Sequence, residues 1–210
     1  MARIDDYRAA VKLGKEVLAD RNPKGTADMS GADFEQNSEG RAVLTLDFLN
    51  KKIRITWPEC DISFADSGDE VPIQQQVLIL HYLIGAKGAA VQGEWIAYQE
   101  VPDGKFYLDA FLRRAKIPMV QGFGTQPEML KELATKVYGA QPFDKGDVSV
   151  VVKALPGIPV ALILWKGDDE FPPEGTILFD RSISDILSAE DIAWLAGMII
   201  YPLMGMAGNK

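Results

Sequence analysis

Apolar residues recur at helical spacing near the start of the chain. Between residues 3 and 20, Ile4, Tyr7, Val11 and Leu18 fall on one face of a predicted helix. Asp5 and Asp6 lie near its N-terminus, where carboxylates complement the helix dipole, and Asn22-Pro23 ends it. Residues 22–40 are polar and carry glycine, the pattern of an exposed loop. The period then changes to two. Leu44, Leu46 and Phe48 alternate with Thr45 and Asp47, and Ile53, Ile55 and Trp57 with Lys52, Arg54 and Thr56. With Asn50 between them, these runs predict a hairpin with one buried face and one wet face. Pro72 opens a helix through Val77 to Ile84, apolar almost all round and therefore buried. Glu94 to Val101 predicts a short strand closed by a Pro102-Asp103-Gly104 turn, before a helix with Leu108, Phe111, Leu112 and Ala115 inward. Thr125 to Glu128 and Ser188 to Asp191 have capping-box spacing and open two further helices.

The remaining stretch is the centre of the predicted sheet. Val148 to Val152 is a β-branched strand, Pro159 to Trp165 is uncharged, and Ile177-Leu178-Phe179 returns after Phe171-Pro172-Pro173. Asp168-Asp169-Glu170 lies in the connection, so two central strands are joined by a rigid polar loop. Helices and strands do not alternate regularly. This predicts a single α+β domain over 1–210, with a mostly antiparallel sheet built from hairpins, about five helices and a core between residues 41 and 205. A weak internal duplication is also legible. Ile53 to Trp57, Asp61, Phe64 and a helix ending at Gly85 echo Leu162 to Trp165, Asp169, Phe171 and a helix ending at Gly205.

Composition narrows the function classes. A net charge of -8 disfavours nucleic acid and anionic membrane surfaces. The single cysteine, Cys60, excludes an internal disulfide and any iron–sulfur cluster held by this chain alone. Ile192 to Gly208 carries no charge, but it falls short of the roughly 20 apolar residues of a membrane span and contains Pro202 and three glycines. No apolar signal core opens the chain, and a cytoplasmic protein is expected.

The candidate chemistry is sparse. His81, the one histidine, has Val77, Leu78, Ile84 and Gly85 as helical neighbours, so it is expected in the core, or as the axial ligand of a tetrapyrrole in an apolar slot. Together with Glu94, Trp95, Tyr98 and Trp165 it forms the candidate ligand-binding set. Asp168, Asp169, Glu170 and Asp180 are the oxygen ligands that a divalent cation would use. Gly122 to Thr125 matches neither phosphate-loop nor dinucleotide spacing, and Cys60 is expected to be an inert buried thiol. Trp165→Ala is expected to cost about 3–5 kcal/mol as the loss of a buried aromatic.

Several segments together resemble one family. They are His81-Tyr82-Leu83, Ala86-Lys87-Gly88, Gly93-Glu94-Trp95-Ile96, Gly122-Phe123-Gly124, Leu155-Pro156 and Ile158-Pro159. Trp165, Gly167-Asp168, Glu170-Phe171-Pro172-Pro173 and Leu178-Phe179-Asp180 complete the set. This pattern resembles domain of unknown function 3786, a bacterial and archaeal family found largely in anaerobes, some of whose longer members add a four-cysteine iron–sulfur region. The resemblance implies no assigned chemistry. It leaves three expectations open: a ligand- or cofactor-binding accessory protein of anaerobic metabolism, a scaffold docking to an iron–sulfur partner, and an enzyme with a carboxylate-bound divalent cation.

Overall fold

Helix α1 (Ile4–Ala19) forms over the first apolar stripe and buries Gly14 and Leu18. It opens a computed structural model that describes residues 4–88 and 90–208. The segment after it is not the loop its polarity predicts: it forms α2 (Pro23–Ser30) and β1 (Asp33–Gln36). Neither element has an apolar stripe, and α2 is set by its ends instead. Asn22 Oδ1 accepts from the Gly25 amide at 2.8 Å, Pro23 occupies the first turn, and Gly31 closes the helix at φ +69°.

The predicted hairpin is β2 (Ala42–Phe48) paired with β3 (Lys51–Trp57), from Ala42↔Trp57 to Phe48↔Lys51. Its two-residue turn has positive φ at both Leu49 and Asn50, the backbone that matches the twist of paired strands. β1 and β4 (Ile62–Phe64) flank it in an antiparallel sheet of order β1-β2-β3-β4. Ala42, Leu44, Leu46, Phe48, Ile53, Ile55 and Trp57 are buried, while Val43, Thr45, Asp47, Arg54 and Thr56 keep contact with water. α3 (Ile73–Gly85) follows, with the Tyr82 hydroxyl between the carbonyls of Ser30 (2.5 Å) and Pro156 (2.7 Å).

The second sheet has the order β5-β9-β8-β7-β6, in which β5 is Trp95–Ala97 and β6 is Gln141–Pro142. β7 is Val148–Leu155, β8 Ile158–Trp165 and β9 Glu174–Asp180. β8 is buried on both faces from Val160 to Leu164, which is why its sequence is a continuous apolar run rather than an alternating one. β5 and β6 are opposite edges, which a flat sheet would hold roughly 19 Å apart at about 4.8 Å per strand. Yet the rings of Trp95 and Phe143, just past β6, lie 5.1 Å apart. The sheet therefore curls enough to bring these two edge side chains into contact.

Helices α4 (Gly104–Phe111) and α5 (Ile117–Phe123) run on through a π-helical turn at Leu112–Lys116. α6 (Pro127–Tyr138) ends at Gly139 in the left-handed conformation. Its N-cap is Gln126 without a side-chain bond, so the capping box expected from Thr125 does not form. The box at Ser188 does form and opens α7 (Ala189–Ala207). Pro202 lacks the N–H that would pair with Met198 O, and the Tyr138 hydroxyl stands beside this gap, 2.9 Å from Ile199 O and 3.5 Å from Met198 O. Among the described residues no helix is long and apolar enough to cross a membrane.

The architecture is α+β with antiparallel sheets, as the sequence predicts. Residues up to 90, with 155–157 and 185–187, form one compact unit, and the remainder a second. The internal echo has a structural counterpart. In the first unit, a proline-initiated α2 closed by left-handed Gly31 leads into β1-β2-β3-β4 and then α3. In the second, a proline-initiated α6 closed by left-handed Gly139 leads into β6-β7-β8-β9 and then α7. Trp57 and Trp165 close the third strand of each meander.

Candidate functional site

Most residues proposed from sequence have structural partners. Tyr98 is 1 % exposed, stacks on Phe111 with ring centroids 4.2 Å apart, and donates its hydroxyl to Ala189 O at 2.7 Å. Burial pushes that hydroxyl up to about 12. The Arg181 guanidinium donates to both Glu94 carboxylate oxygens, Nε at 2.6 Å and Nη2 at 2.7 Å. These bonds hold Glu94 below the usual carboxylate range and raise Arg181. Trp95 is half-buried against Phe143. Trp165 pairs with Glu174 at the far end of β9 from Asp180, which pairs with Trp95. His81 is half-buried on α3 of the first unit.

The four carboxylates do not form a cluster. Asp168, Asp169 and Glu170 are exposed in the β8–β9 connection. There Asp168 Oδ1 accepts from the amides of Glu170 (2.9 Å) and Phe171 (2.8 Å), and these bonds keep its carboxyl below the usual range. Asp180 is buried at the opposite end of β9 and accepts from Gln92, Gly93 and Ser182. Among the described residues no group of three or more His, Cys, Asp or Glu side chains is placed to hold a metal ion. Cys60 is fully buried, and burial pushes its thiol up to about 11, so it stays protonated at neutral pH.

Trp165 is 40 % exposed, which lowers the cost of truncating it. Trp165→Ala is now expected to lose about 1–2 kcal/mol rather than the loss of a fully buried aromatic. Urea unfolding curves of the two proteins measure the difference, and a variant that fails to fold would contradict it.

A different set of residues forms an open site. On the wet face of the first sheet, Glu35, Val43 and Thr56 lie in one cross-strand row. Val43 and Thr56 are short, whereas Glu35, Arg41 and Arg54 are long, and the sheet carries a trough of about 590 Å³. Arg54 stands two residues along β3 on one side, and Arg41 two residues before Val43 on the other, each about 7 Å away along its strand. Glu35, Glu59 and Asp61 complete the charged walls.

Both turns that frame the trough are fixed. Asn37 Oδ1 accepts from the amides of Glu39 (3.0 Å) and Arg41 (2.9 Å), the Asn37 amide donates to Arg41 O, and Gln36 Nε2 donates to Gly40 O. Across the sheet, the Thr56 amide donates to Asp61 O at 3.1 Å and Thr56 Oγ1 accepts from the Asp61 amide at 3.2 Å. Lys15 pairs with Asp61 at 2.6 Å. Arg41 and Arg54 differ from it: both are exposed, and neither guanidinium has an ion pair or hydrogen bond among the described residues.

The alternation along β3 signals that Arg54 and Thr56 face water, but Glu35 is hidden in a segment without periodicity. Convergence of Arg41, Arg54 and Glu35 needs the β1–β2–β3 register, which the sequence does not display. Neither the curated proteins nor the solved structures contain a match to this chain. A family model matches residues 22–201, which include every wall of the trough, and the chain belongs to the family described as domain of unknown function 3786.

Proposed function

We propose that this protein is a ligand-binding protein that holds a small polar molecule in the trough on the first sheet. The observation that carries this reading is a cavity of about 590 Å³, within the ~300–1,000 Å³ typical of small-molecule sites, between two hydrogen-bonded turns. The fixed turns support binding because little loop entropy remains to be lost on association. The repeated topology adds a contrast. Arg54 and Thr56 stand three and one residues before Trp57, and Leu162 and Leu164 stand three and one residues before Trp165. Both leucines are fully buried. The same strand position accepts an apolar, covered face, so the fold does not itself require a polar, open one.

The test is a fragment and metabolite screen read by backbone amide shifts in NMR. Hits should move the amides of Val43, Thr56 and Gln36. Val43→Phe, which fills the floor of the trough from its water-facing side, should weaken each hit at least about tenfold while leaving the rest of the spectrum in place. Hits confined to other surfaces, or equal binding by Val43→Phe, would count against the trough.

A further inference from the structure

We infer that the ligand of this trough carries an oxyanion, a carboxylate or a phosphate, gripped between Arg41 and Arg54. The inference rests on the trough being a ligand site and adds the chemical class. Lys15 shows the ordinary arrangement on this unit, a cation paired with a carboxylate at 2.6 Å. Arg41 and Arg54 line one cavity, yet among the described residues neither guanidinium is paired, although Glu35, Glu59 and Asp61 line it too. The two arginines flank the floor from opposite ends of the trough, so an anion seated on the floor is within reach of both side chains. Planar guanidinium forks match carboxylate and phosphate oxygens in pairs, which an ammonium cannot do. Neutral Val43 and Thr56 form the floor between them and leave room for the anion, and the Thr56 hydroxyl adds a short polar group there. Glu35 and Glu59 border the same space, so the rest of the ligand offers hydrogen-bond donors, amine or hydroxyl, toward them.

Amide shifts of the full chain, titrated at constant ionic strength with inorganic phosphate, succinate and the neutral polyol erythritol, test this. The expected result is saturable movement of the Val43 and Thr56 amides with phosphate or succinate. Whichever binds tighter identifies the anion source. Arg41→Gln and Arg54→Gln should each weaken that binding at least about tenfold, and Arg54→Lys should weaken it nearly as much because the fork is lost. Full affinity in Arg54→Lys would reduce the effect to an adventitious ion only and overturn the inference. Erythritol binding without either anion would keep the trough as a site and overturn the oxyanion. Trough amides unmoved by all three probes and by the wider screen would end both readings.

Discussion

Asp180→Ala is expected to destabilise the protein by about 2–4 kcal/mol at neutral pH, mostly by leaving the buried Ser182 donors and the part-buried Gln92 and Gly93 amides without an acceptor. The side chain is 1 % exposed and takes four hydrogen bonds: Gln92 N at 3.0 Å, Gly93 N at 2.6 Å, Ser182 N at 3.1 Å and Ser182 Oγ at 2.6 Å. It therefore ties the chain entering β5 to the chain leaving β9. The flanking Glu94–Arg181 pair is solvent-exposed and contributes little to this anchor. Asp180→Asn keeps one acceptor oxygen but turns the other into a donor facing amides, and is expected to lose about half as much.

The effect has a definite pH sign. Burial alone would raise the Asp180 carboxyl, but the bonds from Ser182, Gln92 and Gly93 outweigh it and hold the group below its ordinary value. A carboxylate depressed in the folded state contributes stability above its unfolded value, about 3.9, and loses it as pH falls toward the folded value. The gap between wild type and Asp180→Ala should therefore be widest near neutral pH and narrow below about pH 4. Urea unfolding at several pH values measures it. A gap that stays constant into acid would mean that the charge at Asp180 does not matter.

The sequence was legible where a pattern is imposed by burial. The alternation from Leu44 to Trp57 gave the first hairpin and its faces, and the unbroken apolar run to Trp165 gave a central strand, because each follows from which sides of a strand are covered. Elements fixed by their ends escaped. α2 has no stripe and depends on Asn22, Pro23 and Gly31, so polarity made it look like loop. The surroundings of the candidate site residues were illegible for a related reason. Trp95 lies on the short strand β5 and Tyr98 opens a 3-10 turn just past it; aromatic residues there signal an apolar surrounding but not whether a ring is free or already stacked, as Tyr98 is on Phe111. The acidic run at 168–170 signalled charge, while the bonds of Asp168 go to amides of its own loop. Exposed Arg41 and Arg54 look like any solvated arginine in sequence, and only cross-strand register places them around one trough.

Two glycines at matching places in the repeated topology should respond in opposite directions to alanine. Gly85 is the last residue of α3, and a Cβ there would lie 2.1 Å from the backbone oxygen of Ile186. No flexible side chain can yield, so backbone must move, and the expected loss is about 3 kcal/mol or more. Gly205 lies near the end of α7, and among the described residues a Cβ there meets nothing within 4 Å. Gly205→Ala removes the entropic cost of glycine in a helix and is expected to be neutral or to stabilise by up to about 1 kcal/mol. Both substitutions add the same methyl group to a helix, so propensity alone would make both favourable. Thermal melts of the two variants beside the wild type therefore isolate the contact. A clear fall for Gly85→Ala with no fall for Gly205→Ala would show that residues 185–187 are seated against the end of α3 in solution; equal behaviour of the two would show that they are not.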